Sequence, residues 1–267
     1  VISLKSSREF ELIRQAGRIV GETLAVLRKA TQPGVTTGEL DALAEETIRK
    51  LGGIPAFKGL YGFPGSLCTS INEEVVHGIP KPRRKLKEGD IIGMDLGALV
   101  EGYYGDAAIT VPVGEVSDKV KALLTATHQA LWAGIEQVKP GNRVGDIGAA
   151  VQAVAEGAGY GVVRDYVGHG IGTKLHEEPQ VPNYGTPGTG VVLKAGMALA
   201  IEPMVNMGTF QCKTKSDKWT VVTVDGGWSA HFEHTVLIHE GAPEVVTVAS
   251  EAVPPPPVGS STDRVKA

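Results

Sequence analysis

The apolar positions of this chain fall into helical runs separated by Pro-Gly stops. Between residues 9 and 30, Phe10, Ile13, Gly17, Val20, Leu24 and Leu27 recur at the three-and-four spacing of one helix face. Gln32-Pro33-Gly34 ends that run. Thr37 stands as a cap for a second helix over 39–51, which Gly52-Gly53 closes. Strands are expected over 66–71, 90–99 and 103–113, the last two joined by a short turn at Glu101-Gly102. A long helix over 118–138 stops at Lys139-Pro140-Gly141, and a shorter one covers 145–157. Further strands are expected over 198–205, 219–224 and 231–238.

This order repeats. One constant shift along the chain carries Pro33-Gly34 onto Pro140-Gly141, Gly38 onto Gly145, and Leu86-Lys87-Glu88-Gly89 onto Leu193-Lys194-Ala195-Gly196. So long a period excludes a solenoid. It predicts an α+β fold in which two pseudo-twofold halves, about 8–114 and 115–250, form one catalytic domain with a site between them. Beyond it, Pro254-Pro255-Pro256-Pro257 opens a stretch without apolar periodicity, and 251–267 are expected to be a disordered tail.

The same shift superposes Asp95 on Glu202. Both follow apolar runs, where an ionised carboxylate is rarely buried without a partner or a metal. Asp106 lies on the other arm of the predicted hairpin from Asp95, which can place both on one face. Neighbouring buried carboxylates repel strongly unless one is protonated or a cation lies between them. Glu233, within His231-Phe232-Glu233-His234-Thr235, has a similar setting in the second half. A water-facing edge carboxylate is the plainer reading of any one acid. Four together, two of them related by the repeat, favour a cation site.

Histidines add selectivity. Gly168-His169-Gly170-Ile171-Gly172 holds an imidazole where backbone can fold closely around a ligand, and His176-Glu177-Glu178-Pro179 follows. His77 sits in Val75-Val76-His77-Gly78 of the first half. His128, His234 and His239 read as structural, while His231 shares the expected face of Glu233.

Composition narrows the setting. The 267 residues are 42% hydrophobic and 21% charged with net charge −4, enough for a self-sufficient core and too acidic for a dedicated nucleic-acid binder. Two cysteines, no signal-peptide pattern and no membrane-length apolar run point to a reducing, cytoplasmic setting. Lys81 to Lys87 contains five basic residues and reads as a solvated loop. Glycine is abundant, 35 of 267, and without a three-residue period it marks sharp turns and close backbone approaches.

Five blocks resemble the signature of type I methionine aminopeptidases: Asn72-Glu73-Glu74-Val75-Val76-His77-Gly78-Ile79-Pro80, Gly168-His169-Gly170-Ile171-Gly172, His176-Glu177-Glu178-Pro179, Ile201-Glu202-Pro203-Met204 and Phe232-Glu233-His234-Thr235. They run in order over nearly the whole chain and resemble the short bacterial form. The resemblance implies the pita-bread fold, two α/β halves around a central antiparallel sheet. It implies metal ligands at Asp95, Asp106, His169, Glu202 and Glu233, holding two divalent ions (cobalt, manganese, iron or zinc) with a hydroxide between them. It implies that His77 and His176 bind substrate and assist catalysis, and that Glu202 also shuttles a proton.

The family's methionine pocket maps onto Phe57, Leu60, Phe63, Cys68, Leu175 and Trp219, with Leu60 and Leu175 standing where many relatives carry aromatic rings. The implied activity is removal of the amino-terminal methionine of nascent polypeptides when the second residue is small. A monomer is expected, touching the ribosome transiently and neither a membrane nor a specific nucleic acid. Creatinase and proline-specific peptidases share the ligand set but usually carry an additional amino-terminal domain. A non-catalytic peptide- or RNA-binding relative would tend to lose ligands, and all five are present.

Overall fold

The protein is described by a computed structural model over residues 2–249, so the expected tail at 251–267 lies outside the described residues. Helix α1 (Ser7–Ala30) starts at a reciprocal cap, in which the Ser6 hydroxyl accepts from Glu9 N and the Glu9 carboxylate accepts from Ser6 N at 2.7 Å. All six positions of its predicted apolar face are buried. Helix α2 (Thr37–Lys50) is capped by Thr36 rather than Thr37. The reason is spacing: only Thr36 has a glutamate three residues on, and Glu39 closes the same two-way cap.

The first half continues with β1 (Ile54–Pro55), β2 (Cys68–Ile71), β3 (Glu74–Val76), β4 (Ile91–Val100) and β5 (Tyr103–Pro112). The second half opens with α3 (Asp118–Glu136), α4 (Val144–Gly157) and β6 (Gly161–Val162). Then come β7 (Gly168–Gly170), β8 (Glu177–Val181), β9 (Ala198–Ile201) and β10 (Met204–Asn206). It closes with β11 (Cys212–Thr214), β12 (Val221–Thr223), β13 (Ser229–His231), β14 (His234–Leu237) and β15 (Glu244–Val245).

Two antiparallel sheets dominate: β1-β4-β2 with β5 on β4, and β15-β14-β9-β7-β8. Helices α1 and α2 cover the first around Leu24, Leu40, Ile48, Ile92 and Leu96, while α3 and α4 cover the second around Leu131, Ile147, Leu199 and Val236. The repeat is visible in the contacts. The isolated bridges Thr36·Lys85 and Arg143·Val192 are the same contact made once in each half, related by the shift seen in the sequence. So are the bonds from Gly34 N to Leu86 O (2.8 Å) and from Gly141 N to Leu193 O (3.0 Å).

Departures from the predicted elements cluster in the second half. The expected strand over 198–205 breaks into β9 and β10 at Glu202-Pro203, where proline has no N–H for a ladder. That over 231–238 breaks at Phe232-Glu233. Strand 219–224 shrinks to Val221–Thr223, and 66–71 to Cys68–Ile71. Strands β7 and β8 carry no apolar alternation, and periodicity does not announce them.

After β15, residues 246–248 cross the back of α1. A β-carbon on Gly17 would lie 2.7 Å from Val246 O, and one on Gly21 would lie 2.6 Å from Thr247 O. Thr247 also binds the next layer, its hydroxyl pairing with His234 Nδ1 (2.8 Å) and accepting from Thr235 N (3.2 Å). Gly17→Ala and Gly21→Ala are therefore expected to destabilise the fold by about 1–3 kcal/mol each through overpacking. Urea unfolding checks this, and an unshifted midpoint in both would show that this segment does not seat on α1.

Candidate metal centre

The hairpin β4–β5 sets the first two acids. Asp95 lies opposite Ala108 and Asp106 opposite Gly97, so the carboxylates are diagonal neighbours on one face. Cys68 of β2 stands opposite Asp95 on the other side. In the second half, Glu202 and Glu233 occupy the two strand breaks, so neither follows the simple alternation expected of it. Asn183, nearly fully buried, donates to the Glu202 carbonyl at 3.1 Å.

The halves are joined beside these acids by a seam between β5 and the 231–235 segment. Ala108 and Glu233 exchange backbone hydrogen bonds. On either side a threonine hydroxyl replaces the backbone rung. Thr235 Oγ1 accepts from Asp106 N (3.0 Å) and donates to Asp106 O (2.8 Å). Thr110 Oγ1 accepts from His231 N (2.9 Å) and donates to His231 O (2.8 Å). The backbones of Asp106 and Glu233 are thus fixed against each other from both sides.

His169 comes from β7, between glycines whose β-carbons would run into the carbonyls of Ala200 and Glu178. Its Nδ1 lies 2.9 Å from Gly170 O, which assigns Nδ1 as the donor and leaves Nε2 free, 3.4 Å from Glu202 Oε1. Ligand atoms of Asp106, His169 and Glu233 all lie within 4.8 Å of one another. Asp95 Oδ1, Asp106 Oδ1, Glu233 Oε1 and His231 Nε2 are buried with no hydrogen-bond partner among the described residues. Buried oxygens aimed at one another without a donor are what a cation site requires. The donor set, oxygen-rich with one imidazole, fits divalent ions of the hard-to-borderline range.

Burial and mutual repulsion shape the titration. Burial lifts Asp95 to about 7. It pushes Asp106, Glu202 and Glu233 well above the carboxylate range, with the neighbouring acids adding to the rise. Burial lowers His77 and His169 to about 4 and His231 to about 3, and lowers His176 as well.

All five predicted ligands line one cavity of about 270 Å³, together with His77, His176 and the six predicted pocket residues. Phe57, Phe63, Cys68 and Leu175 are buried in its wall, and Phe63 meets Trp219 edge-on at 5.2 Å. His77 adopts the left-handed region (φ 58°) and stacks edge-on against Tyr166. His176 lies edge-on to His169, with ring centres 4.5 Å apart. A larger groove of about 1010 Å³ between α1 and α2 holds no ligand-spaced group among the described residues.

Sequence reasoning missed three features. Tyr61, 81% exposed and left-handed at φ 49°, also lines the cavity, and its only local signal is the bracketing Gly59 and Gly62. Lys5, almost buried, reaches Glu177 at 2.7 Å and so pins the loop that carries His176. Thr110 and Thr235 look like ordinary strand threonines and carry no signal at all.

The sequence profile of metallopeptidase family M24 matches residues 11–240. The methionine aminopeptidase of Clostridium acetobutylicum is 55% identical over 93% of this chain and 99% of its own. The crystal structure of methionine aminopeptidase from Thermotoga maritima superposes with a TM-score of 0.92 at 49% identity, covering 93% of this chain and 100% of that one. Prolidase from Pyrococcus furiosus gives 0.72 at 25% identity, covering 91% of this chain but 65% of its own. These neighbours share the pita-bread architecture of two related halves.

The titration has a consequence for the metal-free protein. Above about pH 6.5 unfolded carboxylates and most unfolded imidazoles have lost their protons. Asp95, lifted to about 7, still holds part of its proton there and the three other acids are raised in the same direction, so the folded state binds more protons and stability falls as pH rises. Below that point the buried histidines, lowered in the fold, oppose any further gain. Thermal unfolding of chelator-treated protein is expected to show Tm falling from pH 6.5 to 8.5, and a divalent cation is expected to abolish the decline. A flat metal-free profile would mean the four acids are not buried together.

Proposed function

The chain belongs to metallopeptidase family M24, and from that premise we propose how its cavity removes an amino-terminal methionine. It is a metal-dependent aminopeptidase of the methionine aminopeptidase type, a hydrolase acting on chains that begin with methionine. The observation that carries the reading is the set of orphaned carboxylate oxygens at the floor of an apolar cavity.

Four carboxylates carry four negative charges, which two divalent ions balance. Asp95, Asp106, His169, Glu202 and Glu233 would hold these ions, with Asp106, His169 and Glu233 the most closely grouped of the five. Cobalt, manganese, iron and zinc all suit this set. Ions bound there acidify water and polarise a carbonyl group.

The remaining work falls to the chain's own side chains. Phe57, Leu60, Phe63, Cys68, Leu175 and Trp219 hold the methionine side chain, whose flexible thioether packs well against aromatic and sulfur surfaces. Aliphatic Leu60 and Leu175 leave that pocket broader than paired aromatic rings would. The cavity, about 270 Å³, has room for one methionyl side chain beside the carboxylates, and a small second residue is the reading adopted for the substrate. His176, neutral at pH 7, donates its N–H to the carbonyl oxygen as negative charge develops there. His77 holds the amide nitrogen that becomes the leaving amine. Glu202 carries a proton toward that nitrogen.

The natural substrates are nascent polypeptides in the cytoplasm, processed by a monomer that touches the ribosome in passing. Among the described residues no helix is long and apolar enough to cross a membrane. Buried Glu74 binds both Arg84 (2.8 Å) and Lys215 (2.9 Å), which brings the basic 81–87 stretch beside the β11–β12 hairpin. Lys81, Arg83, Lys85, Lys213 and Lys218 are exposed on these two segments, a charge pattern suited to sequence-independent phosphate contact.

Hydrolysis of Met-Gly-Met-Met against Xaa-Pro peptides tests the specificity. Cleavage of the methionyl peptide alone, abolished by chelator, is expected; cleavage of Xaa-Pro alone would refute the reading. His176→Ala is expected to lower kcat about 10²–10³-fold, the scale of a lost oxyanion donor, and His77→Ala by a similar factor. Metal content by elemental analysis stays unchanged in both. Loss of metal in either variant would reassign that histidine as a ligand.

A further inference from the structure

A second, polar cavity of about 600 Å³ adjoins the first and shares two of its walls, His169 and His176. We propose that it receives the substrate polypeptide from its third residue onward. The proposal rests on the aminopeptidase reading above, because it extends the same bound chain past the bond that is cut.

Three observations support it. The two cavities meet at one strand pair: His169 pairs across β7–β8 with Gln180, so the Gln180 amide stands beside the imidazole on the same face. β8 is the terminal strand of its sheet among the described residues and exposes Glu178 and Gln180, so a peptide leaving His176 runs along that strand. An extended chain advances about 3.3 Å per residue, so two or three further residues fall within reach of β8.

The chemistry divides in the same way. The first cavity is lined by aromatic and aliphatic residues, as a constant methionine requires. The second offers Thr173, Lys174, Glu178 and Gln180, all exposed. Substrates that share only their first residue continue with varied, mostly polar sequence, and a groove of this kind holds backbone and tolerates side chains. Among the described residues neither the Lys174 ammonium nor the Glu178 carboxylate forms an ion pair. Glu177, by contrast, is already neutralised by Lys5. Lys174 and Glu178 are therefore the charges that a passing chain would sense.

Two measurements test this. The first compares kcat/KM for Met-Gly-Ser-Glu and Met-Gly-Ser-Lys amides. Lys174→Glu is expected to shift the ratio about two- to five-fold toward the basic peptide and Glu178→Lys toward the acidic one, as exposed ion pairs do, with both shifts shrinking in high salt. The second uses the metal-loaded protein and a non-cleavable peptide, Met-Gly-Ser-(p-benzoylphenylalanine) with the first amide reduced to CH2–NH. Light is expected to cross-link it within residues 173–181. Unchanged ratios in both variants, or cross-links confined to residues 57–63 or to the α1–α2 groove, would overturn the proposal. Turnover of Met-Gly amide by the unaltered protein reports separately on the aminopeptidase reading, since that substrate has no third residue.

Discussion

Four carboxylates gathered in one cavity, Asp106 and Glu233 fully buried and Asp95 and Glu202 partly so, are the constraint on which the rest of this structure depends. Among the described residues none has a lysine or arginine beside it, and the protein relieves their repulsion by keeping protons or by binding metal. An arrangement that costly survives only if stiff elements hold it. The stiffness comes from the long β4–β5 hairpin, from the strand breaks that turn Glu202 and Glu233 inward, and from the seam where Thr110 and Thr235 hydroxyls clasp opposing backbone. Hydroxyls in place of backbone rungs satisfy both N–H and C=O of Asp106 and of His231 while bringing strands of different halves together.

The two halves are related but unequal, and the inequality builds one wall of the cavity. Asp95 and Asp106 sit on adjoining strands of one hairpin, whereas a much longer stretch of chain separates Glu202 from Glu233. The extra chain forms β10 to β13. Its β11–β12 hairpin crosses over to pair with β3 of the first half. That crossing brings Trp219 against Phe63 and braces the strand that ends at His77. The buried acids thus follow the duplication, while the Phe63–Trp219 wall of the cavity follows from what the second half added.

Much of the site was legible because burial and chemistry leave local traces. Asp95 and Glu202 stand out by following apolar runs, His169 by its flanking glycines, and the α1 face by its helical period. The strand breaks were not legible as such. Pro203 is a visible interruption, but nothing near Phe232-Glu233 says that the strand stops there, because the cause is a contact with Ala108 on a distant strand. The same holds for Lys5 and Glu177, which meet from opposite halves of the chain.

By itself the sequence determined which residues are buried, which acids are out of place among them, and that two similar halves share one site. These follow from side-chain periodicity and from the cost of burying charge, both of which act within a few residues. The tertiary structure alone decided that Asp106 and Glu233 lie back to back across a threonine-bridged seam. It also decided that Tyr61 joins the cavity and that the terminal strand β8 pairs beside His169. Those relations depend on the register between strands from separate halves, which packing sets over distances no local pattern spans.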